Sequence, residues 1–413
     1  MTRVVLRAAA MFDGEGVVER PVVTVEDGRI AAVEAGGAVP GDRAPDGTGT
    51  TVIDLGERSL LPGLVDAHVH LGGSRAGDGL FVDPALAAMR AAADARAALE
   101  SGFTTLRDCG SAPGIAVRDA IAEGTLAGPR VVACGPLISS TGGHADLHEL
   151  PLGLLPRYES ELLLADGAEG CRLAVRKAVR AGADWIKVCV TGGNTSLRTD
   201  HHDVRFTAAE LDALVDEAHR LGRRVAAHAT GAAGVVAAVR SGVDSVEHGY
   251  FVDDHGIDEL VRRGTWLVPT FSLHRYFANP PEGSTWPATR IAKQQAAMEA
   301  MRHSFPRAVA AGVRVATGTD CGGGPGMELG TSARELEAWV EAGLEPAAAL
   351  RGSTCDAATL LGLGDRIGRI APGYEADLIA VDGRPWSVIG ALRSVAMVMR
   401  AGAIVRDVAG GAG

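Results

Sequence analysis

The chain has 413 residues, 46% of them hydrophobic and 22% charged, with a formal net charge of −11. That is ample apolar material for one large α/β domain and a minor one, and the scattered acidic excess argues against nucleic acid or a membrane surface as partner. No run approaches the roughly 18 uncharged apolar residues of a membrane span, and Cys109, Cys134, Cys171, Cys189, Cys321 and Cys355 lack paired short spacing, so they read as reduced, buried thiols of a cytoplasmic protein.

Residues 1–58 alternate with period two in "VVLRAAAMF", "PVVTVEDGRIAAV" and "TVIDLG", separated by Gly/Asp turns. The opening stretch has the small apolar residues of a leader, but Arg7 and Asp13 interrupt it and a strand fits better. From 59 to 363 short β-branched runs alternate with helical segments. Strands are expected at 63–70, 103–108, 130–135, 184–190, 223–229, 243–249, 265–271 and 313–320. Helices are expected between them, for example over 84–102, 207–222 and 331–343, with Thr207 and Thr331 as caps and Gly222 and Gly343 as stops. Such strand–helix units in series predict a (β/α)8 barrel. An open doubly wound sheet ranks second, because no G-x-G-x-x-G turn follows the first strand. Residues 364–413 return to period two, with a hairpin turn expected at Ala401–Gly402 and a disordered "AGGAG" tail. Neither end can bury a face alone, so 1–58 and 364–413 are expected to pair into a small β-sandwich beside the 59–363 barrel.

In a barrel of this kind the C-terminal strand ends carry the chemistry. "LPGLVDAHVH" ends the first strand in His68 and His70, which share a face at i and i+2. The fourth strand carries Lys187, the fifth ends in His228, the sixth in His248 and the eighth in Asp320, each after an apolar interior. A single histidine at a strand end is more often scaffold than ligand. Their convergence on one mouth points instead to a metal. Lysine inside "DWIKVCV" is costly, because burial lowers its pKa toward the neutral amine. A neutral amine can take up CO2 as a carbamate, an anionic ligand able to bridge two cations about 3.5–4 Å apart. The bland alternatives are a lysine that snorkels outward or pairs with Asp184. Imidazole with carboxylate suits zinc first, while manganese, cobalt or iron also fits.

"GLVDAHVHLGG", "GFTTLRDCG", "DWIKVCVTGG", "VAAHATG", "VEHGY", "TGTDCGG" and "GRIAPGYEADLIAVD" together resemble the amidohydrolase superfamily. The likeness is to its imidazolonepropionase-like group, with the binuclear Xaa-Pro dipeptidases (prolidases) and carboxypeptidase-type members. It implies a distorted TIM barrel with a small β-sandwich from both termini. It also implies two divalent ions, zinc first: His68, His70 and Asp320 on one, His228 and His248 on the other, and carboxylated Lys187 between them. Imidazolonepropionases use one metal and lack that lysine, so Lys187 shifts the likeness toward the peptidase-like members.

The implied reaction is amide hydrolysis by a metal-bridging hydroxide, with Asp320 carrying the proton to the leaving amine. His144 in "STGGHAD" would polarise the carbonyl oxygen, Tyr250 would meet a terminal carboxylate, and Arg107 with Asp108, closing the second strand, are weaker substrate candidates. The substrate would then be a dipeptide or N-acyl amino acid with a free carboxylate, with a homo-oligomer left open. One departure concerns specificity: "NTSLRTDHHDVRF" stands where the family has a Ser-Pro-type loop, so Arg198, His201 and His202, like Arg275 and Tyr276, leave substrate identity open. Hydrolysis of a cyclic amide or deamination of a heterocycle ranks lower, because "HATGAAG" lacks the glutamate of an "HAGE"-like segment. A non-catalytic scaffold would have lost ligands, and here all six are present.

Overall fold

The computed structural model describes residues 3–36, 50–73, 82–148, 150–194, 196, 198–280, 286–323 and 326–407. The chain divides into two compact units, one of residues 1–66, 95–105 and 330–413, the other of residues 67–94 and 106–329.

In the first unit, alternation along both termini produces two sheets. One has the order Arg29–Ala35, Pro21–Glu26, Arg3–Arg7, Thr50–Asp54. The other runs Ala403–Asp407, Val395–Arg400, Leu378–Val381, Ser59–Pro62, Ala10–Phe12, Val17–Glu19, so that C-terminal strand Leu378–Val381 pairs antiparallel with N-terminal strand Ser59–Pro62. The inward residues of both sheets, among them Leu6, Val23 and Ile30 from one and Met11, Leu60, Leu378 and Met397 from the other, form a single buried apolar cluster. The expected hairpin is present: Ala401 and Gly402 adopt φ +48° and +79°, the left-handed pair of a two-residue turn that suits strand twist. The "AGGAG" tail lies outside the described residues.

The α/β part carries seven of the eight expected strands, at Leu64–Val69, Phe103–Asp108, Arg130–Ala133, Trp185–Cys189, Arg224–Gly231, Ser245–Phe251 and Trp266–Val268. Among the described residues they form two sheets rather than one closed ring. The third strand stops at Ala133, because Gly135 is left-handed (φ +66°) and Pro136 has no N–H to give. The chain resumes as Leu137–Ser139, inside a six-stranded parallel sheet ordered Leu162–Leu164, Leu137–Ser139, Trp185–Cys189, Arg224–Gly231, Ser245–Phe251, Trp266–Val268. The other sheet has the order Arg130–Ala133, Phe103–Asp108, Leu64–Val69.

The eighth expected strand, 313–320, is a correction. It makes only isolated parallel bridges, Leu267 with Val315 and Val69 with Cys321. The reason lies at its end, where Gly318 presses against its neighbours and Asp320 turns left-handed at φ +58°. A Cβ on Gly318 would stand 2.4 Å from Val268 and 2.7 Å from the His68 Cβ, so only glycine lets this segment lie against His68. Thr207 and Glu210 form the expected reciprocal capping box at the start of Ala208–Arg220, whereas Thr331 ends a short 3-10 turn and the helix Ala333–Glu341 follows Ser332 with no side-chain cap. No helix among the described residues is long and apolar enough to cross a membrane.

Candidate metal centre and active site

Strand register fixes the frame. Cys189 lies level with His228, and Ala229 with His248, so these imidazoles emerge at the same edge of the six-stranded sheet. The segment after Thr317 is tied alongside the first strand: Ala67 N–H donates to the Thr317 carbonyl (2.8 Å), Asp320 N–H to that of His68 (2.7 Å) and His70 N–H to that of Cys321 (2.8 Å). Asp320 therefore stands beside both histidines of "HVH", its Oδ1 3.5 Å from His68 Nε2 and 3.1 Å from His70 Nε2. Ring centroids of His68 lie 5.4 Å from His70 and 5.1 Å from His248, and those of His228 and His248 are 4.6 Å apart. Lys187, 2% exposed, brings its Nζ to 3.1 Å from His68 Nε2. The structure thus gathers all six expected ligands, and donor atoms of His68, His248 and Asp320 lie within 4.8 Å of one another.

Each imidazole is held by one nitrogen so that the other is directed elsewhere. His68 Nδ1 meets Glu247 Oε2 at 2.7 Å, His70 Nδ1 the Gly110 carbonyl at 2.7 Å, and His248 Nδ1 the Thr270 hydroxyl at 2.8 Å. His228 is held through Nε2, which donates to the Gly192 carbonyl at 3.0 Å. Anchoring one ring nitrogen fixes tautomer and ring orientation, as metal-ligating histidines require. Burial and the neighbouring positive groups push His228 and His248 well below the usual imidazole range, so both present neutral lone pairs. This donor set fits divalent transition ions. His248 (φ +77°) and Asp320 (φ +58°) are also non-glycine residues in the left-handed region, a strain that concentrates at functional sites.

The protonation of Lys187 corrects the sequence argument. Burial does disfavour its ammonium, but Cys109, Glu247, Cys189 and Asp320 around it outweigh that effect and raise its pKa above the ordinary lysine value. Nor does it pair with Asp184, which is held by Arg118 at 2.7 Å. For His70, burial works against the charge, yet the hydrogen bond and field of Asp320 raise it to about 9. Both His70 nitrogens face acceptors, so the ring carries two protons.

Sequence reading missed Glu247. Its buried carboxylate accepts from His68, from Ser245 Oγ and from Arg107 Nη2 (2.8 Å). Burial would push it up, but Arg107 and His68 prevail and hold it at about 2. The signal was a carboxylate inside the apolar run "DSVEHG". The expectation that Arg107 meets substrate is corrected accordingly. Arg107 is fully buried, with Nε donating to the Ala67 carbonyl (2.5 Å), Nη1 to Ser245 Oγ (3.1 Å) and Nη2 to Glu247, and its guanidinium lies 4.7 Å from the Trp185 ring centre. Asp108 is equally internal; it accepts from Ser111 Oγ at 2.6 Å, and burial pushes it up to about 7.

His144 stacks on His228 with ring centres 4.3 Å apart. Burial lowers it to about 4, and its Nδ1 has no partner among the described residues. Gly193 makes room for it, since a Cβ there would meet the ring at 2.5 Å. Tyr250 is buried against His248, with ring centres 5.2 Å apart. Of the residues left open by the sequence, Arg198, His202 and Arg275 are exposed and Tyr276 is half-buried, while His201 turns inward toward Tyr250. His274, beside Arg275, also faces Tyr250 and was missed.

Comparison with known proteins places the chain in a family. The amidohydrolase family model matches residues 59–408. Ochratoxinase from Aspergillus niger is 32% identical over 415 residues, covering 89% of this chain and 84% of that protein. A crystal structure of a Xaa-Pro dipeptidase with methionine bound in its active site superposes with a TM-score of 0.90 at 34% identity, over 98% of this chain and 100% of that one. The structure of a prolidase complexed with N-methylphosphonate-L-proline gives 0.88 at 30% identity, over 98% and 100%. These likenesses imply a TIM-barrel-like α/β fold. The chain belongs to the amidohydrolase family and is a hydrolase acting on C–N bonds.

Proposed function

We propose that the chain is a dipeptidase or carboxypeptidase-type hydrolase that cleaves the amide of Xaa–amino-acid dipeptides or N-acyl amino acids bearing a free carboxylate. The observation that carries this reading is the anchoring of four imidazoles by their outer nitrogens around Lys187 and Asp320. The prolidase and Xaa-Pro dipeptidase among its structural neighbours support the substrate class. His68, His70, His228, His248 and Asp320 would hold two divalent ions, zinc first, with Lys187 carboxylated by CO2 as the bridging ligand. The ions would supply Lewis acidity, bringing the pKa of a water to about 7 and polarising the scissile carbonyl.

The protein's own groups do the rest. Burial would raise Asp320, but His68, His70 and Lys187 outweigh it and hold the carboxylate ionised. In that state it takes the proton of the attacking water and returns it to the leaving nitrogen. His144, neutral at pH 7, donates a hydrogen bond to the carbonyl oxygen as charge develops there. Tyr250 meets the substrate carboxylate. Glu247 and Arg107 act behind the centre and keep His68 oriented. We also read the two terminal sheets with their common core as the β-sandwich, and the six buried cysteines as suited to the cytoplasm.

The test is metal content together with a substrate screen. Protein loaded with zinc, manganese or cobalt should bind two ions per chain and hydrolyse members of a dipeptide and N-acyl-amino-acid library. One ion per chain with deamination of heterocycles, or no bound metal, would overturn the assignment.

A further inference from the structure

Beside Tyr250 lies a set of buried polar side chains that the reaction described above does not use. His201, His274, Asn194 and Gln294 are 4%, 0%, 5% and 0% exposed. The Tyr250 ring links them to the metal side: its centre is 5.2 Å from that of His248, 4.2 Å from His274 and 6.0 Å from His201. Asn194 Nδ2 donates to Gln294 Oε1 at 3.0 Å, and the same oxygen accepts from His274 Nδ1. Asn194 Nδ2 also lies 3.1 Å from His274 Nδ1, but Gln294 Oε1 can only accept, so Nδ1 carries the proton and Nε2 is left as a lone pair. Among the described residues, His274 Nε2, Asn194 Oδ1 and Gln294 Nε2 have no hydrogen-bond partner, while His201 has the Lys293 backbone beside it. Native interiors leave few such atoms, and this many around one ring point to a ligand.

The open valences define its chemistry. His274 Nε2 and Asn194 Oδ1 are acceptors, while Gln294 Nε2 is a donor. Burial lowers His201 and His274 to about 4, so neither is a cation at pH 7. Asp200 and Lys293, whose charges reach His201, lie 4.0 Å from each other and offset. An ammonium would therefore lack a counter-ion here, and a carboxylate would face the two acceptors. A hydroxyl brings a single O–H donor for two acceptors. A primary carboxamide brings two N–H donors and one carbonyl acceptor, which matches the set.

We propose that His201, His274, Asn194 and Gln294 form a specificity subsite for a neutral carboxamide-bearing side chain of the substrate. This rests on the amide-hydrolase reading for its place in catalysis, but its binding can be measured separately. A site built to hydrogen-bond a polar group discriminates strongly against an analogue that lacks it, because its own buried groups are then left unpaired.

The test uses full-length, metal-loaded protein with near-isosteric pairs. Binding of L-glutamine and L-methionine is measured by calorimetry, and kcat/KM is compared for Gln–Ala against Met–Ala and for Ala–Gln against Ala–Met. Glutamine should be favoured at least about tenfold in binding, and in one of the two dipeptide positions. Asn194→Leu removes one of the two acceptors and His274→Phe the other. Each should bring the ratio to within about twofold of unity while leaving metal content unchanged, the tenfold preference being what the lost pairing supplies. A wild-type ratio near one, or no binding of either amino acid, would show that solvent serves these atoms and overturn the subsite. A ratio unchanged in both variants would do the same. If glutamine binds preferentially but no dipeptide is cleaved, the subsite stands and the hydrolase assignment fails. Should both variants fail to fold by circular dichroism, the wild-type ratio alone decides.

Discussion

Replacement of Glu247 by glutamine tests whether the centre is built from behind. The carboxylate accepts from three donors, His68 Nδ1, Arg107 Nη2 and Ser245 Oγ, and none of these groups is exposed. A glutamine in the same place keeps the shape but must turn an amide N–H2 toward one of the donors, and it removes the counter-ion of the buried Arg107. Breaking a buried pair from one side costs about 3–5 kcal/mol. The protonation of Glu247 gives a second route to the magnitude: a fall from 4.5 to about 2 corresponds to roughly 3 kcal/mol. The folded-state value lies below the unfolded one, so this contribution is present above pH 4.5 and is lost as the pH falls through about 2. Glu247→Gln should therefore lower the melting temperature of the unit holding the site on the order of 10 °C at pH 7. That difference should close on acidification. Hydrogen exchange at strands Leu64–Val69 and Ser245–Phe251 localises the effect, and metal affinity should drop about 10–100-fold as His68 loses its orientation. A variant with unchanged melting temperature and metal affinity within threefold of wild type, a span well below that about 10–100-fold range, would refute the reasoning.

Asp320→Asn should abolish turnover of any dipeptide substrate while the protein still folds and binds metal; retained kcat would remove Asp320 from the proton path. Lys187→Met should reduce bound metal from two ions to one or none per chain by elemental analysis, and wild-type protein reconstituted with bicarbonate should gain the mass of one carboxyl group. Metal affinity should rise with pH up to about 9, because the ion must displace a proton from His70; titrations that plateau by pH 7 would contradict this. Far from the centre, Glu217 is held at about 2 by Arg220 and Arg176. Glu217→Gln should lower stability at pH 7, with the gap vanishing as pH falls from 4.5 toward 2; equal melting curves at pH 7 would show those ion pairs to be idle.

The clustering of the candidate ligand histidines was legible because they obey simple geometry. His68 and His70 share a face by strand pleat, and His228, His248 and Lys187 end or punctuate apolar runs. Glu247 was not legible for the same reason. Strict alternation sends neighbours Glu247 and His248 to opposite faces, yet both serve the centre: Glu247 through His68 Nδ1, and His248 with its ring 5.1 Å from that of His68. The left-handed backbone at His248 breaks the alternation, and no local sequence feature announces it. The eighth strand failed similarly. "VRVATGTD" has the composition of a strand, but Gly318 and a left-handed Asp320 turn it into a bridge that delivers a carboxylate. Arg107 looked like a substrate group because a strand end was all the sequence showed; its partners come from the first and sixth strands, far along the chain. His201 and His274 meet only through tertiary contact with Tyr250.

The charges around the site explain how it can take up dications. Glu247 is a buried carboxylate and Asp320 a largely buried one, and an interior cannot hold them uncompensated. Protons can do the compensating: one on His70 against Asp320, another on Lys187 among Asp320, Glu247 and the thiols. On the proposed reading, bound dications would supply that positive charge instead, so His70 would give up a proton to offer Nε2 and Lys187 would become the neutral amine that carboxylation requires. Carbamate formation and metal binding would then be one linked equilibrium, and burial alone, the argument available from "DWIKVCV", gives the wrong sign for Lys187 because it omits the surrounding negative groups.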